Sequence, residues 1–340
     1  MNTLLTTLPQ AQQARAEQAI AQAFPGALPQ TFEPLHGGLS GAPVYKLVVD
    51  GRAYVLRIIL QQSMLDDPVR QLACLRLAAE RGIAPPLEYA NVELGLSISA
   101  FIAHQPAIPE LKRSDELVAH FGGLMRRLHA GPAFPVFLDA FQMIEGGLAH
   151  LAGRGVALPA LTQAALAEFE TVRQTLQPHL VTAPCHNDLN PSNVLYDGRR
   201  LWLIDWESAC AGDPLFDLAG LIGWFVLDAR QEATLLRAYF GRAPGELELA
   251  KLALMKHVSW WFYAVVFLLL LPDELLTNQV GGNTELLPSF PELLATIGRG
   301  ELAMSEPSTR LRMSLVLARQ SRDAIQQPAF RQALARLTAG

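Results

Sequence analysis

The stretch "CHNDLNPSNVL", Cys185 to Leu195, decides how the rest of the chain is read. It sets His186, Asp188 and Asn193 at the spacing H-x-D-x-x-x-x-N, with Asn190-Pro191 between them and an apolar pair at its end. Twelve residues past Asn193 comes a second acid, Asp205, inside "LWLIDWE". An isolated HxD or an Asn-Pro pair is an ordinary polar turn; the combination is more specific. A phosphoryl-transfer site needs a carboxylate that orients a hydroxyl nucleophile and takes its proton, and oxygen ligands for Mg2+ beside the phosphates. An Asp and an Asn on one loop supply both. "NVLYDGRRLWLIDWE" reads as strand, Asp-Gly turn, strand, which would bring Asp205 back toward Asn193 and complete a metal site.

Outward from this loop, the first hundred residues carry a different pattern. "APVYKLVVDG" and "RAYVLRIIL" are β-rich runs joined at Asp50-Gly51, a strong hairpin dipeptide. Residues 67–81 begin with Asp67 and Pro68, carry apolar residues at helical spacing and close at Gly82. "PPLEYANVELGLSISAFI" predicts two more strands with a turn near Glu93–Gly95. The reading is an antiparallel sheet with one inserted helix, preceded by an amphipathic helix over 8–24. From His104 onward helix dominates: "SDELVAHFGGLMRRLHA" with Ser114 or Asp115 as N-cap, then 159–178, 215–240, 247–271 and 308–337. This predicts an α+β fold in two lobes: 1–103, a hinge at about 99–105, and a mainly helical 104–340 holding the loop and the acceptor site.

Two features of the sheet region bear on chemistry. "HGGLSGAPVYKL" places Gly37, Gly38 and Gly41 between predicted strands, where backbone N–H groups can approach phosphate oxygens, although a plain hairpin turn is the simpler reading. Arg57 stands inside the strand "YVLRII", between apolar neighbours, so it either faces solvent or meets an anion.

Composition narrows the class. Half of the 340 residues are hydrophobic and 17% are charged, which makes a well-cored globular chain. A formal charge of −5 argues against a nucleic-acid partner and leaves any anionic substrate to local Arg, Lys or metal. Cys74, Cys185 and Cys210 are few and widely spaced, so neither a disulfide framework nor a zinc site is expected; they suit small buried hydrophobes in a reducing cytoplasm. The N-terminus lacks the basic start and apolar core of a signal peptide. The most apolar run, Val258 to Leu271, is fourteen residues long and closes at Pro272, which predicts a buried core helix and no membrane partner. The Arg-bearing stripe of "TRLRMSLVLARQSRDAI" reads as a solvated face.

The order of parts (glycine loop, basic strand residue, helix, HxDxxxxN, Asp) is that of a protein-kinase-like fold. The chain resembles the aminoglycoside phosphotransferase and choline kinase superfamily through "HNDLNPSNVL", "LIDWE" and "GDPLFDLA", from about residue 34 to 225. "GGLSG", "VLR", "GIAPP" and "LIDWE" are most similar to bacterial choline, ethanolamine and thiamine kinases. The resemblance implies ATP and Mg2+ as cofactors, Asp188 as catalytic base, and Asn193 and Asp205 as metal ligands. It implies that Gly38, Ser40 and Gly41 cover the phosphates and that Arg57 stands where protein kinases use Lys. It makes "SAFIA" the hinge, with the backbone of Ala100, Phe101 and Ile102 at the adenine. One departure matters: Gln71 stands where the family has a Glu to pair the strand cation, with Asp66, Asp67 or Glu80 as possible substitutes.

The acceptor is expected to be a small-molecule alcohol. Trp206, Glu207, Trp260 and Trp261 are the candidate substrate residues, with Phe216, Trp224, Phe262 and Tyr263 nearby in the reading, since aromatic faces suit a quaternary or heteroaromatic cation. The alternative for each aromatic is core packing. Few carboxylates (Asp228, Glu232, Asp273, Glu274) mark the distal helices, which favours choline, ethanolamine or thiamine over an aminoglycoside and leaves homoserine-like and sugar acceptors open. Two other classes remain: a metal-dependent phosphohydrolase using His186, Asp188 and Asp205, and a kinase-like nucleotide-binding module weak in catalysis through Gln71.

Overall fold

The computed structural model of the chain describes residues 5, 8–35, 43–60, 66–272, 275–276 and 287–339. Helix α1 (Gln10–Ala23) leads into strands β1 (Thr31–Pro34), β2 (Val44–Val49), β3 (Arg52–Ile58), β4 (Leu87–Asn91) and β5 (Leu96–Ala100). They form one antiparallel sheet in the order β1-β2-β3-β5-β4, with α2 (Pro68–Glu80) inserted between β3 and β4. Asp50 and Gly51 both adopt left-handed backbone, φ +48° and +73°, the conformation a tight two-residue hairpin demands. Strand alternation puts Leu47, Leu56, Ile58, Leu96 and Ile98 in a buried cluster with Ala16, Ala19 and Ile20 of α1. Arg57 lies between Leu56 and Ile58, so the pleat turns it to the opposite face of the sheet. Helix α2 starts where the Asp67 carboxylate accepts from the Val69 N–H at 2.9 Å, with Pro68 in the first turn.

The chain divides into two compact units: Met1–Val136, Ala183–Ala211 and Asp228–Arg242 in one, Phe137–Thr182, Gly212–Leu227 and Ala243–Gly340 in the other. This differs from a cut at 103/104, because the loop-bearing stretch is tied to the sheet region by its own hydrogen bonds, Leu203 N–H to Ile83 O at 2.9 Å among them. Besides the sheet, the first unit holds α3 (Ala107–Arg113), α4 (Asp115–His129), the short strands β6 (Ala183–Cys185), β7 (Val194–Tyr196) and β8 (Leu201–Leu203), the first two residues of β9 (Cys210–Gly212), and α9 (Ala229–Phe240). Ser114, not Asp115, caps α4 by accepting from the Leu117 N–H at 3.1 Å. β7 and β8 pair as the expected antiparallel hairpin, Val194 opposite Leu203.

The second unit is helical: α5 (Ala140–Gly153), α6 (Ala160–Ala165), α7 (Phe169–Leu176), α8 (Pro214–Trp224), α10 (Glu246–Leu269), α11 (Phe290–Gly298), α12 (Pro307–Ile325) and α13 (Pro328–Ala339). α10 is its centre and packs against α5, α7, α8, α12 and α13. It matches the helix expected over 247–271: its 24 residues are long and apolar enough to cross a membrane, and its most apolar window is 72% buried, as in a core helix. The segment 215–240 is not one helix. It breaks after Trp224, with Val226 at φ +50°, and restarts at Asp228, which forms a capping box with Gln231. Gln326 and Gln327 likewise divide 308–337.

Candidate active site

The loop after β6 is built almost wholly from its own polar side chains. His186 is fully buried; its Nδ1 accepts from the Asp188 N–H at 3.3 Å, which leaves Nε2–H to donate to Ile204 O at 2.9 Å. The ring is thus a brace between loop and hairpin. Asn187 takes left-handed backbone, φ +63°, and its amide donates to Ser208 O at 3.1 Å and Cys210 Sγ at 3.2 Å. Asn190 caps the 3-10 turn Pro191–Asn193 by accepting from the Ser192 N–H at 2.9 Å, and donates to Asp188 Oδ1 at 3.0 Å. Asn193 is buried and donates through Nδ2 to the Asp188 carbonyl at 2.9 Å and to Asp188 Oδ2 at 2.8 Å. Both oxygens of the Asp188 carboxylate are therefore set by neutral amides, with the group half-buried.

The hairpin returns as the sequence predicted. The Ile204 N–H donates to Asn193 O at 3.0 Å, so Asp205 follows directly from a residue tied to Asn193. Asp205 itself has φ +64°, a costly conformation for a non-glycine residue that persists only where its surroundings impose it. Arg57 Nη2 sits 2.9 Å from Asp205 Oδ1 and 3.0 Å from Glu207 Oε2. Among the described residues, a partner for Arg57 other than Asp205 is Glu207, two residues further on. Gln71 is buried on α2. Its neighbour Arg70, passed over in the sequence, is 2% exposed and donates to the carbonyls of Glu207 at 2.7 Å and Ala209 at 2.8 Å. The available signal was a charged residue inside the otherwise apolar face of α2.

The electrostatics are those of an acid-rich nest with one strand cation. Burial, and then Asp205, push the Glu207 carboxyl up to about 7 against the pull of Arg57, with Asp66 and Asp188 adding to the rise. A divalent cation relieves such crowding. The donor set fits Mg2+: Asp205 Oδ1 is buried, in ionic contact with Arg57 but accepting no aligned hydrogen bond. The Asn193 amide nitrogen is committed to Asp188, leaving the side-chain carbonyl oxygen as the atom it can offer. These are hard oxygen donors suited to Mg2+.

Other candidates fare unequally. Gly38, Ser40 and Gly41, with Asp273 and Glu274, lie outside the described residues. At the expected hinge the Ala100 N–H donates to Pro86 O at 2.8 Å and the Phe101 N–H to Ala53 O at 3.0 Å. Those two amides are spent on the sheet, which leaves the backbone carbonyls of this stretch and the Ile102 N–H as the groups it can offer a base. Trp206 is buried edge-on to Phe134 and 4.8 Å from the His186 ring, where it supports the loop. Trp261 is 1% exposed and donates to Ala165 O at 2.8 Å within the second unit. Phe216, Trp224, Phe262 and Tyr263 are buried in edge-to-face contacts of the helical core. Trp260 keeps partial exposure, and Glu207 is engaged by Arg57. The three cysteines are free and buried, and burial pushes the Cys74 thiol up to about 12.

The model of the phosphotransferase enzyme family matches residues 31–251, more than half of the chain. Among curated relatives, protein LicA of Haemophilus influenzae is 39% identical over 72 residues, which cover 21% of this chain and 26% of that protein. A homoserine kinase of Neisseria meningitidis serogroup B is 28% identical over 226 residues, 61% of this chain and 71% of that one. The chain spans about a quarter of the length of the curated relatives it matches first. The fold is similar to that of a choline/ethanolamine kinase family protein from Mesorhizobium loti, with a TM-score of 0.72 and 24% identity over 96% of this chain and 99% of that one.

Proposed function

The chain belongs to the phosphotransferase enzyme family, and on that premise we propose that it moves the γ-phosphoryl group of ATP to the hydroxyl of a small molecule. The observation that carries this reading is the Asp188 carboxylate, held on both oxygens by the amides of Asn190 and Asn193 on a loop tied to Asp205. Asp188 orients the acceptor hydroxyl and takes its proton late, since a loose transition state asks little more of the protein at phosphorus. Asn193 and Asp205 would hold Mg2+, which neutralises charge on the phosphates when bound. Arg57, clamped by Glu207, keeps Asp205 in place. His186 and Arg70 act through the backbone and touch no substrate. Gly38, Ser40 and Gly41 are assigned to the phosphates on the resemblance.

For the acceptor we infer choline, ethanolamine or thiamine. The fold neighbour belongs to a choline/ethanolamine kinase family, and the reading of short motifs points the same way. With Trp206 and Trp261 buried, the aromatic argument for a quaternary ammonium rests on Trp260 alone. A homoserine-like acceptor is the second reading, supported by the homoserine kinase relative. ATP consumption against choline, ethanolamine, thiamine, homoserine, sugars and aminoglycosides tests both. Turnover is expected with one of the amino alcohols or thiamine; turnover with homoserine alone selects the second reading, and none with any acceptor removes the proposal.

A further inference from the structure

Away from the loop, three guanidinium groups gather where α2, α4 and the β7–β8 hairpin meet. Arg81, just past α2, donates to Arg127 O at 3.0 Å. Arg200, on the hairpin, donates to the carbonyl of Gly82, the residue next to Arg81, at 3.3 Å. The Arg200 guanidinium lies 3.4 Å over the Trp202 ring, and its Nε is buried with no hydrogen-bond acceptor. Among the described residues none of the three forms an ion pair. Asp197, whose carboxyl feels the Arg200 charge, spends its hydrogen bonds elsewhere: Oδ1 accepts the N–H groups of Arg199 and Arg200 at 2.8 and 2.9 Å, and Oδ2 accepts Trp202 Nε1 at 2.8 Å.

Helix α4 completes the arrangement. His120 and Arg127 are seven residues apart and share a face. Gly123 stands between them on that face, and a Cβ there would meet nothing within 4 Å, so the helix is bare between the two basic side chains. Burial, then Arg200 and Arg81, hold Arg127 below its ordinary value. Burial, Arg127 and Arg200 do the same to His120 against Asp197 and Glu116. Cations at helix C-termini are often explained by the dipole alone. That account covers Arg81 at the end of α2 and Arg127 in the last turn of α4, but neither Arg200 on the hairpin nor the mutual repulsion of the three guanidiniums.

We propose that Arg81, Arg127 and Arg200, with the bare turn at Gly123, form an anion site for a phosphate group, separate from the Asp188 loop. Forked guanidinium donors match phosphate oxygens, and a dianion removes the repulsion among them. The phosphate can belong to a free compound or to a lipid headgroup, and two measurements separate these. In the first, the full chain is titrated calorimetrically with inorganic pyrophosphate in EDTA, which removes binding through a divalent metal. In the second, it is sedimented with vesicles containing phosphatidate. Arg127→Glu is the main variant, because among the described residues no hydrogen bond of its side chain holds the fold. Gly123→Gln is the second; it fills the recess, leaves every charge in place and favours the helix. Both are expected to melt with the wild type and to lose at least about tenfold in affinity, the worth of one strong charge-assisted contact. Arg127-dependent binding of pyrophosphate makes the ligand a free phosphate compound, and Arg127-dependent retention on vesicles makes it a headgroup; either supports the site. Wild-type protein that binds neither probe, or variants that bind as tightly as wild type, overturn it.

Discussion

Asp205 has two calls on its carboxylate: it meets Arg57 at 2.9 Å, and its Oδ1 is buried without an aligned hydrogen bond. If that oxygen is a metal ligand, Asp205→Ala weakens Mg-ATP binding by at least about tenfold, the loss of one charge-assisted contact. Calorimetric titration of Mg-ATP measures it, and unchanged affinity with full turnover takes Asp205 out of the metal site. Gln71 offers a sharper contrast between sequence and structure. From sequence alone, Gln71→Glu would restore a partner for Arg57. With Glu207 already 3.0 Å from that guanidinium, a further carboxylate on buried α2 joins an acid-rich nest instead. Gln71→Glu is therefore expected to lower stability by roughly 1–3 kcal/mol in urea unfolding, with no gain in nucleotide affinity. Improved affinity would mean that Arg57 exchanges partners in solution.

Elements were legible where their signals are local. The Asp50-Gly51 turn and the Asp67 cap were each specified within a few residues, and all appear as expected. The break between α8 and α9, whose helices belong to different units, had only the Asp228–Gln231 capping box to announce it. α10, with its mixed first half and apolar second half, was legible too: a helix over 247–271 was expected and Glu246–Leu269 is found. Its packing has a pH signature. His257 on α10 is buried, bonded to Ser321 Oγ at 3.2 Å, and held down to about 4 from an ordinary value of 6.5 by burial and then by Lys256. The unfolded chain binds more protons than the folded one between those values. Stability is therefore full above about pH 6.5 and falls as pH drops toward about 4, by at most about 3 kcal/mol from this group. His257→Gln, which keeps a hydrogen-bonding side chain, should flatten the fall in urea midpoint between pH 7 and pH 4.5. An identical fall in both proteins would assign the acid sensitivity elsewhere.

Over the whole molecule, what the sequence disclosed and what it withheld divide by chain separation. Asp188, Asn190 and Asn193 act within six residues, so their spacing alone revealed the loop. The Arg57–Glu207 contact joins residues 150 apart, and the Arg70 contacts residues 137 and 139 apart, so neither had a local signature. The aromatic residues stayed ambiguous for a related reason: a stripe such as "WWFY" reads alike for a ligand wall and for a helical core, and Trp261, Phe262 and Tyr263 are buried. The central claim is that Asp188 serves proton transfer and acceptor positioning and not nucleotide binding. It is tested most directly by Asp188→Asn, which keeps the size of the side chain and removes the base. With the acceptor found in the panel, kcat is predicted to fall by at least about 10²-fold, the usual worth of a general base, while Mg-ATP binds as in the wild type. Undiminished turnover by Asp188→Asn would contradict the account.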